Sequence, residues 1–174
     1  VMTLALCHLD GAYFLPAVDA RGHSARTHTA SNTAFRGFGG PQGALLAERV
    51  VDEIARALGK DALDVRKRNL YAPGETTPYG QPVDDAIVRE LVDRLEHTSR
   101  YRERRAAIDA FNATSPVLKR GLALTPVKFG ISFNLVHLNQ AGALVHVYGD
   151  GSVLVNHGGT EMGQGLHTKV AQVV

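Results

Sequence analysis

An α+β fold in two partial domains is what this sequence predicts, and three observations carry the prediction. Residues 41–111 repeat apolar positions at three- and four-residue steps, the period of amphipathic helices. Beyond a break at Asn112–Pro116 the pattern becomes that of mixed or antiparallel strands, with Asp150-Gly151 as a hairpin turn between two of them. Two glycine-rich stretches, 37–43 and 158–165, each stand directly before a helical pattern. The break near Pro116 is the expected domain boundary, dividing 1–115 from 116–174.

Taken in order, 4–14 is an apolar run interrupted by His8 and Asp10, and it reads as a strand with a bulge or turn at Gly11. A second strand is expected over 25–29. The helix over 41–58 sets Ala47, Val50, Val51, Ile54 and Leu58 on one face and Glu48, Arg49, Asp52, Glu53 and Arg56 on the other. Pro41 suits its first turn and Gly59 its C-terminal stop. A shorter helix follows from an Asp61 cap, with Leu63 and Val65 inward. Residues 71–82 hold three prolines and two glycines and form an extended surface loop. Asp84 opens a helix carrying Ile87, Val88, Leu91 and Leu95, and another covers 100–111. Strands are expected over 121–125, 128–133, 140–148 and 152–157, and a last helix from Leu166 to Val174.

Composition narrows the partners. The net charge is +2 with 44% hydrophobic residues, the balance of a soluble globular chain with no footprint for nucleic acid. The densest basic run, Arg100 to Arg105, reads as a solvated face or a contact to a partner domain. One cysteine, Cys7, allows neither an internal disulfide nor a thiolate cluster, and its apolar surroundings make it a small buried hydrophobe. His8, His23 and His28 match no zinc spacing and are expected at the surface or hydrogen-bonded. With no apolar stretch of membrane-spanning length and no signal-peptide pattern, a cytoplasmic protein without membrane contact is expected.

The loop Thr33–Gly43 places four glycines among Phe35, Arg36 and Phe38. Glycines admit close backbone approach, a helix start presents N–H groups to an anion, and Arg36 adds a planar charged fork. Read alone, the loop is better taken as a turn before a helix with both phenylalanines in the core. It has neither the Gly-Lys-Ser/Thr of a Walker loop nor the full glycine set of a dinucleotide fingerprint. The loop 158–165 repeats the logic, with the Gln164 side chain added.

Ser31–Gly43, SNTAFRGFGGPQG, resembles the signature of the large molybdenum subunit of the xanthine dehydrogenase and aldehyde oxidase family. Lys128–Thr168, KFGISFNLVHLNQAGALVHVYGDGSVLVNHGGTEMGQGLHT, resembles the same subunit on the xanthine dehydrogenase side. Arg68-Asn69-Leu70-Tyr71 adds a weaker match, and the likeness covers nearly the whole chain in one register.

The resemblance implies a molybdenum–pterin cofactor (molybdopterin), and it makes 1–115 the end of a first cofactor-binding domain and 116–174 the start of a second. It places Phe35, Arg36, Gly37 and Gly39 beside the molybdenum centre, and Met162, Gly163 and Gln164 on the pterin and its phosphate end. The metal is held by cofactor sulfurs near Arg36, with no direct protein ligand in this chain. A flat heteroaromatic substrate would lie between Phe38 and Phe133, beside Asn134. The implied activity is hydroxylation of purines such as hypoxanthine or xanthine with oxygen from water, electrons passing to iron–sulfur clusters, FAD and NAD in other domains or subunits. An aldehyde oxidase-like hydroxylase of aldehydes or N-heterocycles, and a non-catalytic scaffold module, are the alternatives.

Two departures bear on substrate. Many purine-oxidising relatives have an arginine four residues before the histidine matching His8, where this chain has Leu4; Asn134 stands where threonine is common. No catalytic residue is assigned here. The family's general-base glutamate is expected downstream of Val174, Glu161 is given no catalytic role, and the 174-residue piece alone is expected to be inactive.

Overall fold

The computed structural model describes all of residues 1–174 except Thr33, Ser132 and Asn134. Two compact units divide the described residues, Val1–Gly130 and Ile131–Val174. The chain is α+β, with six α-helices and a two-stranded antiparallel sheet among the described residues.

The first unit holds α1 (Met2–Leu6), α2 (Gly40–Leu58), α3 (Ala62–Asn69), α4 (Val88–Thr98) and α5 (Tyr101–Thr114). Its core gathers Ala12, Tyr13, Val51, Ala55, Leu63, Val65, Leu70, Val92, Tyr101 and Leu124. The Asp61 cap and the Gly59 stop fall where turn chemistry puts them, whereas α4 starts at Val88 with Ile87, not Asp84, before it and no side-chain cap bond. Asp61 Oδ1 accepts the Leu63 N–H at 2.8 Å, and Gly59 ends α2 in the left-handed region at φ 60°.

Several expectations are corrected. The start of the chain is helical rather than a strand, because Met, Leu and Ala are strong helix formers and a short apolar run fits either state. Residues 25–29, 121–125 and the described part of 128–133 belong to no ladder. Cys7 is half-buried. The inward face of α2 is Gly40, Gly43, Ala47, Val51 and Ala55, whereas Val50, Ile54 and Leu58 are exposed. Small residues face inward because α1 packs closely against this helix.

Glu48 and Asp52, expected on the outer face, also turn inward. Arg66, only 2% exposed, donates from Nε to Glu48 at 2.6 Å and from Nη2 to Asp52 at 2.8 Å. Tyr13 Oη donates to the other oxygen of Glu48 at 2.6 Å. The basic run forms an ion-paired face: Arg102 reaches Asp64 and Glu96, both at 2.6 Å, and Arg105 lies 3.5 Å from Asp61.

Gly43 is where α2 meets the segment after α1. A Cβ there would overlap the Ala5 carbonyl oxygen and stand 3.0 Å from the His8 carbonyl carbon. Gly43→Ala gains helix propensity of about 1 kcal/mol, yet forcing backbone apart costs more, for a net loss of about 2 kcal/mol. A fall in the urea midpoint checks it; an unchanged midpoint contradicts the packing.

The second unit carries a single 3-10 turn (Val136–Leu138), β1 (Ala143–Val147), β2 (Val153–His157) and α6 (Leu166–Val173). The strands pair antiparallel, Ala143 opposite His157 and Val147 opposite Val153. Asp150-Gly151 makes the turn as expected: Asp150 Oδ1 accepts from the Ser152 N–H and hydroxyl at 2.9 and 2.7 Å. Leu144, Val147 and Leu154 of the hairpin are exposed.

Candidate functional site

The first glycine loop is two successive turns. Phe38 N–H donates to the Phe35 carbonyl at 2.8 Å and Gly40 N–H to the Gly37 carbonyl at 2.9 Å. Gly37, Phe38 and Gly39 have φ of 94°, 50° and 109°. Phe38 is thus held in the left-handed region, which costs a residue with a side chain on the order of 1 kcal/mol. Such strain persists only where the surroundings over-determine it, and here they do. A Cβ at Gly39 would overlap the Val1 carbonyl oxygen, and one at Gly40 the ring of Phe129.

The base of the loop is therefore fixed between α1 and residues 128–130, while its tip is in solvent. Phe35 is 83% exposed, Arg36 is exposed and Phe38 is 36% exposed. The alternative of two core phenylalanines does not describe this loop. A planar cation and an aromatic ring stand on a loop whose base is packed against its neighbours.

The second loop is closed on itself. Met162 N–H donates to Gln164 Oε1 at 2.6 Å, and Gln164 Nε2 donates to the Thr160 carbonyl at 2.7 Å. Glu161 accepts from the N–H groups of Gly163, Gly165 and Leu166 at 2.7, 3.2 and 2.6 Å. Its carboxylate caps the start of α6, whose own cap residue, Gly165, has no side chain to do so. This organising role is missed in the sequence, where the only sign is an acidic residue just before an apolar helix.

Loss of surrounding water would raise the Glu161 pKa, but the N–H donors of Gly163, Leu166 and Gly165 outweigh it and hold the carboxyl below the usual glutamate value. A depressed folded-state pKa means the cap stabilises the loop above the unfolded value of about 4.3 and is lost as pH falls through the folded value. The Leu166 amide resonance is expected to titrate in that acid range and to stop doing so in Glu161→Gln. Titration that persists in the variant would contradict the cap.

Phe133 is 51% exposed, its N–H donating to Asn139 Oδ1 at 3.0 Å and its carbonyl accepting from Asn139 Nδ2 at 2.9 Å. Asn134 lies outside the described residues. Phe35, Arg36, Gly37, Phe38 and Gly39 belong to the first unit, and Phe133, Met162, Gly163 and Gln164 to the second. Leu4 is buried, and its carbonyl accepts from Nδ1 of His8, itself 4% exposed, at 2.7 Å; His23 and His28 are exposed.

The donors on the two loops are backbone amides, one carboxamide and one guanidinium. Taken loop by loop, these are groups that fit an anionic end and a heteroaromatic ring. Among the described residues, no group of three or more His, Cys, Asp or Glu is placed to hold a metal ion.

Two family models described as molybdopterin cofactor-binding domains match residues 1–70 and 94–174. The chain is 51% identical over 173 residues to the xanthine dehydrogenase/oxidase of Gallus gallus, covering 99% of this chain and 13% of that protein. Xanthine dehydrogenases of Emericella nidulans and Drosophila subobscura are 49% and 48% identical over 173 and 172 residues, with the same coverage. Among solved structures, an aldehyde oxidoreductase from Desulfovibrio desulfuricans aligns at 25% identity over 70% of this chain and 13% of that one, with a TM-score of 0.49.

Proposed function

Since this chain belongs to the molybdopterin cofactor-binding domains of the xanthine dehydrogenase family, we propose that it is the part of a molybdenum hydroxylase in which two glycine loops grip one cofactor. The chain spans 13% of the length of the relatives it matches, and the proposed enzyme is correspondingly longer. The rest of the molybdenum subunit, with iron–sulfur and FAD domains or subunits, would complete it. We keep 1–115 and 116–174 as its two partial domains.

The observation that supports the reading most is the locked Phe35–Gly40 loop with Arg36 exposed at its tip. A preformed loop binds without the entropy cost of ordering it. Arg36 would meet negative charge beside the metal, and the Phe35–Gly39 backbone would line the cofactor. Gln164 would hold the pterin through its carboxamide, in place of its present bonds to Met162 and Thr160, while Glu161 keeps the loop in shape.

Phe38 and Phe133 would hold a flat purine between ring faces and edges, with Asn134 as a polar neighbour. That placement orients one ring carbon for reaction. When bound, the cofactor supplies the two-electron oxidation by which a ring C–H becomes C–OH with oxygen from water; two electrons and two protons leave. The general base is supplied from outside this chain. Leu4 favours a second reading, a hydroxylase of aldehydes or other N-heterocycles, because a buried leucine cannot hydrogen-bond a purine oxygen.

The test is substrate-dependent NAD reduction by the intact protein that carries this chain. Turnover with hypoxanthine or xanthine is expected, and none from the 174-residue piece alone. Turnover of aldehydes but not purines selects the second reading. A cofactor-loaded protein that oxidises neither overturns both.

A further inference from the structure

We propose that His8 is a positioning residue, whose imidazole fixes residues 129–130 against the Phe38–Gly40 turn and so holds Phe38 in the place proposed for it beside the substrate. Its role toward substrate rests on the hydroxylase reading above; its structural action does not. His8 Nε2 accepts the Gly130 N–H at 3.0 Å, across 122 residues of sequence. A backbone N–H can only donate, so Nε2 bears no proton and Nδ1 does, which is what its bond to the Leu4 carbonyl at 2.7 Å requires. One tautomer satisfies both contacts.

Five further contacts act at the same place. The His8 ring packs on Phe129 with centroids 4.9 Å apart. The Phe129 ring lies where a Cβ of Gly40 would be, and the His8 backbone lies against Gly43. Lys128 pairs with Asp10, which is 1% exposed and also accepts from Tyr71 Oη at 2.7 Å. Residues 128–130 thus have no strand partner and are held by side chains from one turn, His8 and Asp10. His8 touches the α2 start on one side and Gly130 on the other.

The test uses the intact, molybdenum-loaded protein with His8 changed to Phe, Asn or Gln. Phe keeps the ring and loses both bonds, Asn keeps a donor for Leu4 and loses Gly130, and Gln offers an acceptor to Gly130. Hydrogen exchange in the peptide covering 128–131 is expected to speed up about tenfold in His8→Phe and His8→Asn, the scale of one lost buried hydrogen bond, and to recover in His8→Gln. KM for the heteroaromatic substrate is expected to follow the same order, rising about tenfold, with molybdenum content and kcat unchanged. If His8→Phe fails to fold, His8→Asn against His8→Gln decides alone. Exchange that is the same in Asn and Gln variants overturns the inference. So does faster exchange with an unmoved KM. A wild-type protein that turns over no substrate would instead remove the hydroxylase reading and leave the exchange comparison standing.

Discussion

Arg66→Ala is expected to cost about 3–5 kcal/mol of folding stability, the scale of breaking a buried ion pair from one side. The guanidinium is 2% exposed and bridges α3 to Glu48 and Asp52 of α2, while Tyr13 donates to Glu48 from the segment after α1. Removing it leaves the Glu48 carboxylate, 17% exposed, with Tyr13 as its remaining described partner. Asp52 is 39% exposed and is compensated by water, so its share is that of a surface pair, about 0.2–1 kcal/mol. Most of the loss therefore comes through Glu48. Adding Glu48→Gln to an Arg66→Met background should recover much of it, since no carboxylate then remains buried without a cation at that position. A thermal midpoint lowered by about 10 °C in the alanine variant is the expected readout. A shift of a degree or two would mean that the network contributes no more than surface pairs do.

Phe38→Asn is expected to separate function from stability. Phe38 sits at φ 50°, a region asparagine tolerates better than phenylalanine, and its ring is 36% exposed. Stability should change by less than about 1 kcal/mol, because relief of backbone strain offsets lost contact. Without an aromatic face the substrate is held loosely, and kcat/KM should fall about 100-fold, the penalty for a misplaced reacting centre. An asparagine variant with full kcat/KM would remove Phe38 from the substrate site. One that unfolds would make it a structural residue.

Local chemistry in the sequence carries the helix ends and the hairpin. Asp61 caps α3, Gly59 stops α2, and Asp150-Gly151 turns β1 into β2, because each depends on one or two adjacent residues. What depends on distant partners is not readable in this way. The apolar stripe Val50, Ile54 and Leu58 looks like the buried face of α2, yet the inward face is set by small residues against α1 and by Arg66 from α3 drawing Glu48 and Asp52 inward. Residues 128–130 have the composition of a strand but belong to no ladder among the described residues; the His8 ring takes the Gly130 N–H and Asp10 holds the Lys128 ammonium. Both glycine loops stand out in the sequence, and so does Arg36 as a charged fork within the first. The self-closure of the second loop through Glu161 does not, because its three acceptor bonds arise only once Gly163 and Gly165 take positive φ.

The direct test of the proposed function is a crystal structure of the intact protein with its cofactor bound. The expected result is one pterin with the Gln164 side chain within hydrogen-bond distance and the Phe35–Gly37 backbone lining the metal end of the same pocket. A pterin that touches only one of the two loops, or neither, would contradict it.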